Sequence, residues 1–225
     1  MRLLIVPIAA LFFLYAFSAC KSSAPPATLC DTACMKDTIK FVEANHPLEP
    51  YVYIAPGDCG PGQVILSHGG MDMNRKLNFA EIAGSGIRLN KDNISAFIKD
   101  TSYVWLTFND CQSGRGYIIR LPFNKTDKIR RKASAFTSFD PKYSIATGLV
   151  AYTDKGNLFV EEMSTGKTAM MTFGKELDLD YDAMHEHIDS VNVTPTHVYA
   201  KVKIGEDWRE LQQNIELLES VEVKK

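Results

Sequence analysis

The densest group of side chains that can do chemistry lies near the C-terminal end, in the segment DLDYDAMHEHID at residues 178–189. Three aspartates alternate with other residues there, and in an extended segment this spacing puts their carboxylates on one side. Two histidines follow, separated by one glutamate. Carboxylate oxygens are the ligands that calcium prefers, and imidazoles with a carboxylate can hold zinc. The candidate metal ligands are Asp178, Asp180, Asp182, His185 and His187.

An acidic, solvated loop explains the same segment without a metal. The carboxylates have the spacing of a calcium-binding loop, but Ala183 stands where that loop needs a glycine for its sharp turn. The histidines do not have H-E-x-x-H spacing, so the metalloprotease pattern fails. We therefore expect no cofactor and no catalysis. The alternative is a metal-dependent hydrolase that uses the Asp178–Asp189 segment and adds His68 or His197 from elsewhere in the fold.

Three further features can contact a ligand. The sequence His68-Gly69-Gly70 follows an apolar run and can present backbone donors, although a tight turn also explains it. The basic stretch KTDKIRRK at residues 125–132 can touch an anionic lipid or glycan, or form a solvated loop. Five aromatic residues recur within apolar segments, where they fit a core but can also stack on sugars. They are Tyr53, Trp105, Tyr117, Tyr152 and Tyr199.

Residues 1–19 have the pattern of an export signal. A positive start at Arg2 is followed by an apolar run from Leu3 to Phe17 and then by two small residues. A short apolar run that ends in small residues is typical of a secretory signal peptide. An uncleaved membrane anchor is the alternative, because about 17 apolar residues is the lower limit for crossing a bilayer.

The sequence Phe17-Ser18-Ala19-Cys20 resembles the lipobox of bacterial lipoproteins. In that family the chain is cleaved before the cysteine, and fatty acids such as palmitate are attached to the cysteine. The resemblance implies that Cys20 is lipidated and anchors the protein to a membrane. Lys21 rather than aspartate follows the cysteine, which by the same resemblance implies the outer membrane, with the protein facing the periplasm or the cell surface.

Four cysteines follow Cys20, an even number that suits disulfides in an exported protein. They permit three pairings. We predict a Cys59–Cys111 disulfide together with a Cys30–Cys34 disulfide, because Cys59 and Cys111 occupy matching turns in a repeat of the chain. A four-thiolate metal site and a redox pair are the alternatives, and their usual spacings are not found.

The segments after Cys20 predict a tether, a helix and one domain. Residues 20–29 consist largely of small residues and proline, which predicts an extended spacer. Residues 30–225 are predicted to form a single β-repeat domain. Its first part, residues 31–45, has apolar residues at helical spacing, such as Met35 and Ile39, and is predicted to be an amphipathic helix.

Four strand-turn-strand units follow the predicted helix. When they are aligned on Val52, Val104, Val150 and Val198, the spacings are 52, 46 and 48 residues. A hairpin that recurs with this period is typical of β-propeller blades. We therefore predict an all-β fold of antiparallel hairpin or blade units, either a small or partial propeller or a sandwich. In the last unit Trp208–Leu211 fits a helix by periodicity, but the repeat favours a strand.

The third unit, Ser138 to Thr168, resembles a blade of the TolB and dipeptidyl-peptidase type of β-propeller. It contains SFDPKY, LVAY, GNLFV and STGKT in order. Those blades have a Ser-Pro-Asp-Gly-Lys turn, a strand ending in Ala-Tyr, a Gly-Asn-Leu hairpin and a Thr-Gly-Lys turn. The resemblance implies an architecture and not an activity, because such blades host many functions.

The composition excludes two classes of protein. Of the 225 residues, 45% are hydrophobic and 23% are charged, which predicts a folded domain rather than a disordered chain. The net charge of −2 lacks the basic excess of a nucleic-acid-binding protein. We expect an envelope lipoprotein, attached to the membrane by its lipid, that binds or scaffolds a protein or glycan partner without catalysis. A purely structural role in an envelope complex is a further alternative.

Overall fold

The computed structural model describes residues 34–154, 156–172 and 187–219. Within these ranges the chain forms fifteen β-strands, one short α-helix and one 3₁₀-helix, so the prediction of an all-β fold is confirmed. The helices are α1 Phe79–Ala83 and the 3₁₀-helix Lys91–Asn93. The strands are β1 Ile39–Val42, β2 Tyr51–Pro56, β3 Pro61–Ser67, β4 Arg75–Asn78, β5 Ile94–Lys99, β6 Tyr103–Asn109, β7 Gly116–Pro122, β8 Arg130–Phe136, β9 Tyr143–Ile145, β10 Leu149–Asp154, β11 Asn157–Glu162, β12 Thr168–Thr172, β13 Ile188–Val193, β14 His197–Ile204 and β15 Asp207–Asn214.

These strands pair into three sheets. The first has the order β1-β2-β3-β4, the central sheet has the order β12-β11-β10-β8-β7-β6-β5, and the third has the order β15-β14-β13-β9. Pairing is antiparallel except between β9 and β13, which run parallel. Most neighbours in a sheet are also neighbours in the chain, as expected when short turns connect the strands.

The four predicted hairpins are present as β2–β3, β6–β7, β10–β11 and β14–β15. Turn chemistry explains two of them directly. Gly156 and Gly205 have φ angles of 76° and 61°, and glycine adopts this left-handed conformation without the steric cost of a Cβ atom. Trp208–Leu211 lies in β15 and pairs with β14, so the prediction from the repeat is confirmed and the helical spacing is misleading.

The strands form four units that stack face to face in chain order. The first unit is β1–β4, the second β5–β8, the third β10–β12, and the fourth β13–β15 with β9. Side chains alternate between the two faces of a strand, so one strand can contribute to two layers. In β6, Val104 and Leu106 pack against the first unit, whereas Trp105 packs against the third. A separate hydrophobic cluster joins the third unit to the fourth.

The central sheet curls so that the second and third units face each other. The Tyr103 hydroxyl and the Trp105 indole N–H both donate to the Met163 carbonyl, at 2.8 and 3.2 Å. Tyr103 and Trp105 are on β6, four strands away from β11 in the sheet order, and Met163 directly follows β11. These hydrogen bonds therefore connect the second unit directly to the third.

The prediction of a helix at residues 31–45 is wrong for the part that the structure describes. β1 lies there and pairs antiparallel with β2. Met35, Ile39 and Phe41 all pack against the first hydrophobic cluster. A helix would turn Phe41 away from the face that carries Ile39, whereas a strand places these two residues on the same side. Tertiary packing and sheet hydrogen bonds therefore outweigh a helical spacing of only a few residues.

The predicted disulfide pairing is also wrong. Cys34 bonds to Cys59, 25 residues apart, with the two Cα atoms 4.3 Å from each other. Cys111 is disulfide-bonded as well, but not to Cys59. Cys59 lies in the β2–β3 turn, and the segment before β1 brings Cys34 next to that turn. Cys59 therefore bonds to Cys34 and not to Cys111 in the matching turn of the second unit. The disulfide therefore ties the start of the first unit to its central hairpin.

Candidate functional site

The predicted metal site is not assembled by the residues that the structure describes. His187 precedes β13, and the Asp189 carboxylate lies 3.3 Å from the Lys201 ammonium in an ion pair. Within residues 34–154, 156–172 and 187–219, no group of three His, Cys, Asp or Glu side chains could hold a metal ion. The other four predicted ligands lie outside the described residues: Asp178, Asp180, Asp182 and His185. Cys20 and Cys30 lie outside them too.

His68 and His197 belong to different units, the first and the fourth. The Gly70 N–H donates to Nδ1 of His68 at 3.0 Å, which closes the turn that the glycines suggest. His197 Nδ1 lies 3.1 Å from the Asn214 side-chain oxygen, across the β14–β15 pair. Each imidazole thus has a local partner, and the geometry does not support a joint site.

The basic stretch at residues 125–132 borders a cleft of about 810 Å³. We call this space the cationic cleft. Its charged side chains are three cations and one carboxylate, so its charge is positive, and hydroxyl-bearing residues from the β5–β6 turn and the β7–β8 loop complete its wall. The residues that define it are Tyr103, Arg120, Thr126, Asp127, Lys128 and Arg130.

Arg120 is held in the cationic cleft by aromatic rings. Its guanidinium carbon lies 3.8 Å from the centre of the Tyr103 ring and 5.9 Å from that of Trp105. Arg120 is directly opposite Trp105 on one side and Arg130 on the other, so all three side chains project from the same face of the sheet. Cation–π contacts orient a guanidinium while leaving its N–H donors free for a planar anion.

Glu161 is a buried acidic residue next to the two arginines of the cationic cleft. Only 4% of the residue is exposed, and its Oε1 atom has no hydrogen-bond partner in the described structure. Arg130 Nη1 lies 3.9 Å from Oε1, which is close enough for an ion pair but too far for a hydrogen bond. Burial raises the pKa of Glu161, and the positive charges of Arg130, Arg120 and Lys132 act in the opposite direction.

Lys132 does not satisfy the Glu161 carboxylate. Its ammonium lies 2.5 Å from the Asp154 carboxylate and 4.7 Å from the centre of the Tyr152 ring. Lys132 is therefore shared between a second acid and an aromatic face. Burial also raises the pKa of Tyr152, with the charges of Glu161 and Asp154 acting in the same direction, so its hydroxyl stays protonated in neutral solution.

Arg75 of the first unit holds the start of the β7–β8 loop, which carries Lys128. Arg75, at the start of β4, is buried and donates to the carbonyls of Pro122 and Asn124. Burial lowers the pKa of Arg75, and the charge of Asp127 raises it. An arginine remains charged under such shifts, so its two bonds are charge-assisted and hold the end of β7 in place.

The sequence predicts one part of the cationic cleft, the basic stretch at residues 125–132, and it predicts the neighbouring Trp105 as a residue that can contact a ligand. It does not predict Arg120 in the cleft or Glu161 behind it. Each of these two is a charged residue inside an apolar strand, in YIIRLP and NLFVEE. A charge at an inward position of a strand is the signal that could have identified both, because such a residue needs a partner.

Comparisons of the chain with protein-family models, with curated proteins and with solved structures gave no match. No helix in the described ranges is long and apolar enough to cross a membrane. The function must therefore be argued from the cleft and from the sequence motifs.

Proposed function

We propose that the chain is a lipid-anchored envelope protein that binds an acidic glycan in the cationic cleft without catalysis. The observation that carries this proposal is the row formed by Arg120 and Arg130 beside Lys128 in a cleft of about 810 Å³. Guanidinium groups recognise carboxylate, phosphate and sulfate through paired hydrogen bonds. A positive, concave and polar surface is thus suited to an anionic ligand.

A glycan fits the rest of the wall better than an acidic protein segment does. The cleft offers the side chains of Thr101, Ser102, Asn124 and Thr126, which can exchange hydrogen bonds with ligand hydroxyls. Tyr103 and Pro122 are the aromatic and apolar residues of its lining, and the Arg120 guanidinium lies over the Tyr103 ring, so that ring is covered rather than open to the side chains that anchor most protein partners. Binding of an acidic peptide instead of an oligosaccharide is the outcome that would favour a protein partner.

The N-terminal motif supports the membrane attachment. Phe17-Ser18-Ala19-Cys20 resembles a lipobox, and the tether at residues 20–29 would hold the domain away from the bilayer. We further propose that the stack of units is a partial β-propeller, which is supported by units that pack face to face in chain order. A scaffold of this kind presents loops from several units at one end.

Removing the cleft arginines is expected to weaken the binding of an acidic oligosaccharide. For Arg120→Gln and for Arg130→Gln we expect the Kd of a six-ring oligomer of guluronic acid to rise about tenfold or more, because each loses a charge-assisted hydrogen bond. Isothermal titration calorimetry of the full-length chain in detergent measures this, and the affinity should also fall as salt is added.

Arg131→Gln is the matched control for this experiment. Arg131 is adjacent in sequence but lies on the opposite face of β8, over the Tyr117 ring, with 5.8 Å between its guanidinium carbon and the ring centre. It should bind the acidic oligomer as the unchanged protein does. Equal affinities for all three variants, or no binding to the unchanged protein, would contradict the proposed function.

The lipid anchor is tested by Cys20→Ser. In a bacterium with two membranes we expect the unchanged protein in the outer-membrane fraction and the variant in the soluble envelope fraction, because the variant lacks the thiol that carries the lipid. Fractionation followed by immunoblotting measures the shift. A variant that stays in the membrane fraction would instead indicate that residues 1–19 remain as an uncleaved anchor.

A further inference from the structure

A second pocket lies on the first unit, on the face that the stack leaves uncovered. It has a volume of about 400 Å³ and contains two tyrosines, one histidine and one carboxylate. We call it the tyrosine pocket. The residues that define it are Leu48, Glu49, Tyr51, Tyr53 and His68.

The aromatic wall of the tyrosine pocket belongs to the outer face of β2. Val52 and Ile54 point into the hydrophobic cluster, so the alternating Tyr51 and Tyr53 point away from it. Their rings stack with centroids 4.3 Å apart. Leu48, on the rim, is 40% exposed. Because the two rings cover one face of each other and Lys40 Nζ lies 5.5 Å from the centre of the Tyr53 ring, the face left for a ligand is the outer face of Tyr51. That face, with an exposed apolar neighbour, suits the C–H face of a sugar ring.

His68 supplies a hydrogen-bond donor at the edge of this surface. Its Nδ1 accepts from the Gly70 N–H at 3.0 Å, so in the neutral imidazole the proton is on Nε2. Burial, and to a lesser extent the charge of His46, lower the pKa of His68 and favour that neutral form. The imidazole also meets the Phe123 ring edge to face, with centroids 5.3 Å apart, which fixes its plane.

Glu49 adds a carboxylate and a strained backbone. Its φ angle is 41°, a left-handed conformation that costs free energy for a residue with a Cβ atom. The turn holds it in place, because the Glu49 N–H donates to the His46 carbonyl at 2.9 Å. Strained residues of this kind often occur where a side chain must reach a ligand. A carboxylate and an imidazole N–H in the same pocket can accept and donate hydrogen bonds with the hydroxyls of a sugar.

Phe123 connects the tyrosine pocket to the cationic cleft. Its ring contacts His68, and its two sequence neighbours, Pro122 and Asn124, line the cleft. Its N–H donates to the carbonyl of Ser102, another residue of the cleft wall, at 3.1 Å. The two sites therefore share one short segment of chain, residues 122–124, as their border.

We infer that the tyrosine pocket is a subsite for a neutral sugar ring, and that the two sites together bind a glycan in which neutral and acidic rings alternate. This inference rests on the proposed function, because it assigns the acidic ring to Arg120 and Arg130. The neutral ring stacks on Tyr51, whose ring is backed by that of Tyr53, and exchanges hydrogen bonds with His68 and Glu49.

Three six-ring oligosaccharides test this inference on the full-length chain. One alternates N-acetylglucosamine and glucuronic acid, one contains only guluronic acid, and one contains only N-acetylglucosamine. We expect the alternating oligomer to bind at least about tenfold more tightly than the all-acidic one. The Tyr51→Ala/Tyr53→Ala double variant should remove that difference and leave the affinity for the all-acidic oligomer unchanged.

Two further variants keep the test independent of folding defects. His68→Asn retains an oxygen that can accept from the Gly70 N–H, and it should lower the affinity for the alternating oligomer several-fold. Tyr199→Ala is the control, because Tyr199 is also half-buried on the outward face of a central strand, in the fourth unit. It should leave all three affinities unchanged.

The outcomes separate this inference from the proposed function. If the alternating and all-acidic oligomers bind equally, or if the tyrosine variant binds as the unchanged protein does, the tyrosine pocket is not a sugar subsite. The binding of an acidic glycan in the cationic cleft is then still supported. If only oligomers with neutral rings bind, and they need Tyr51 and Tyr53, the subsite stands and the proposed function fails. If none of the three oligomers binds, both are overturned.

Discussion

Replacing Gly116 by alanine is expected to lower the free energy of unfolding by about 3 kcal/mol. A Cβ atom on Gly116 would lie 2.2 Å from the carbonyl oxygen of Ala135 and 3.0 Å from its carbonyl carbon. These are backbone atoms of the paired strand β8, so no side chain can rotate to make room. The two strands would have to separate at the place where their register already shifts, between Gly116 and Ile118.

The same substitution should also weaken ligand binding. Gly116 begins β7 and pairs with β8, and these two strands carry Arg120 and Arg130. Urea unfolding measures the loss of stability, and titration with the all-acidic oligomer measures the loss of affinity. Gly60→Ala is the control, since its added Cβ would be 3.7 Å from the nearest atom, an ordinary contact. Similar stabilities for the two variants would contradict the steric argument.

At a pH above the folded pKa of Glu161, replacing this residue by glutamine is expected to raise the free energy of unfolding by about 2 kcal/mol. The carboxylate is buried with one oxygen unpaired, and an unsatisfied buried charge is more costly than an unsatisfied neutral group. After the substitution, the neighbouring cations are still stabilised by other groups or by water. Arg120 lies on the Tyr103 ring, Lys132 pairs with Asp154, and the Arg130 side chain is 51% exposed.

The stability should depend on pH with a defined sign. Burial raises the pKa of Glu161 in the folded protein above its unfolded value. Between these two values the folded state binds more protons than the unfolded state, so stability falls as pH rises through the folded pKa. Acidification from above the folded pKa of Glu161 toward its unfolded pKa should therefore stabilise the unchanged protein more than it stabilises Glu161→Gln. The difference between the two proteins separates the effect of Glu161 from that of the histidines.

Ligand affinity should follow the same titration. Protonation of Glu161 removes a negative charge behind Arg120 and Arg130, so the cationic cleft becomes more positive and binds the all-acidic oligomer more tightly. Glu161→Gln should show the tighter binding already at pH values where Glu161 of the unchanged protein is ionised, and its affinity should depend less on pH. Glu210→Gln, at an exposed position of β15, is the control. Parallel pH profiles for Glu161→Gln and the unchanged protein would rule out this role of Glu161.

The hairpins could be predicted from the sequence because the residues that determine each hairpin lie within one short stretch of the chain. Each consists of two alternating apolar strands around a turn of small and polar residues, and the recurrence of that pattern reinforces every copy. The strand at Ile39–Val42 could not be predicted in this way. Its four residues fit a helical face as well as a strand. The strand is selected by pairing with β2, and the residues of β1 alone do not indicate that pairing.

The centre of the cationic cleft was missed for a related reason. Arg120 and Glu161 are 41 positions apart in the chain and approach each other only because the central sheet curls. An arginine within an apolar strand indicates that a partner is needed, but the sequence does not identify that partner. The Cys34–Cys59 disulfide is similar, since four cysteines specify the number of bonds and not their pairing.

The order in which the units pack affects how cooperatively the protein unfolds. Among the described residues, each hydrophobic cluster joins two successive units, so the stability couples from one unit to the next, as in a short repeat array. By these clusters the first and the fourth units each pack against one neighbouring unit, and we expect them to be the first to fray. The first unit carries the tyrosine pocket and the second carries the cationic cleft, so a glycan that binds to both would add a further connection between the first two units.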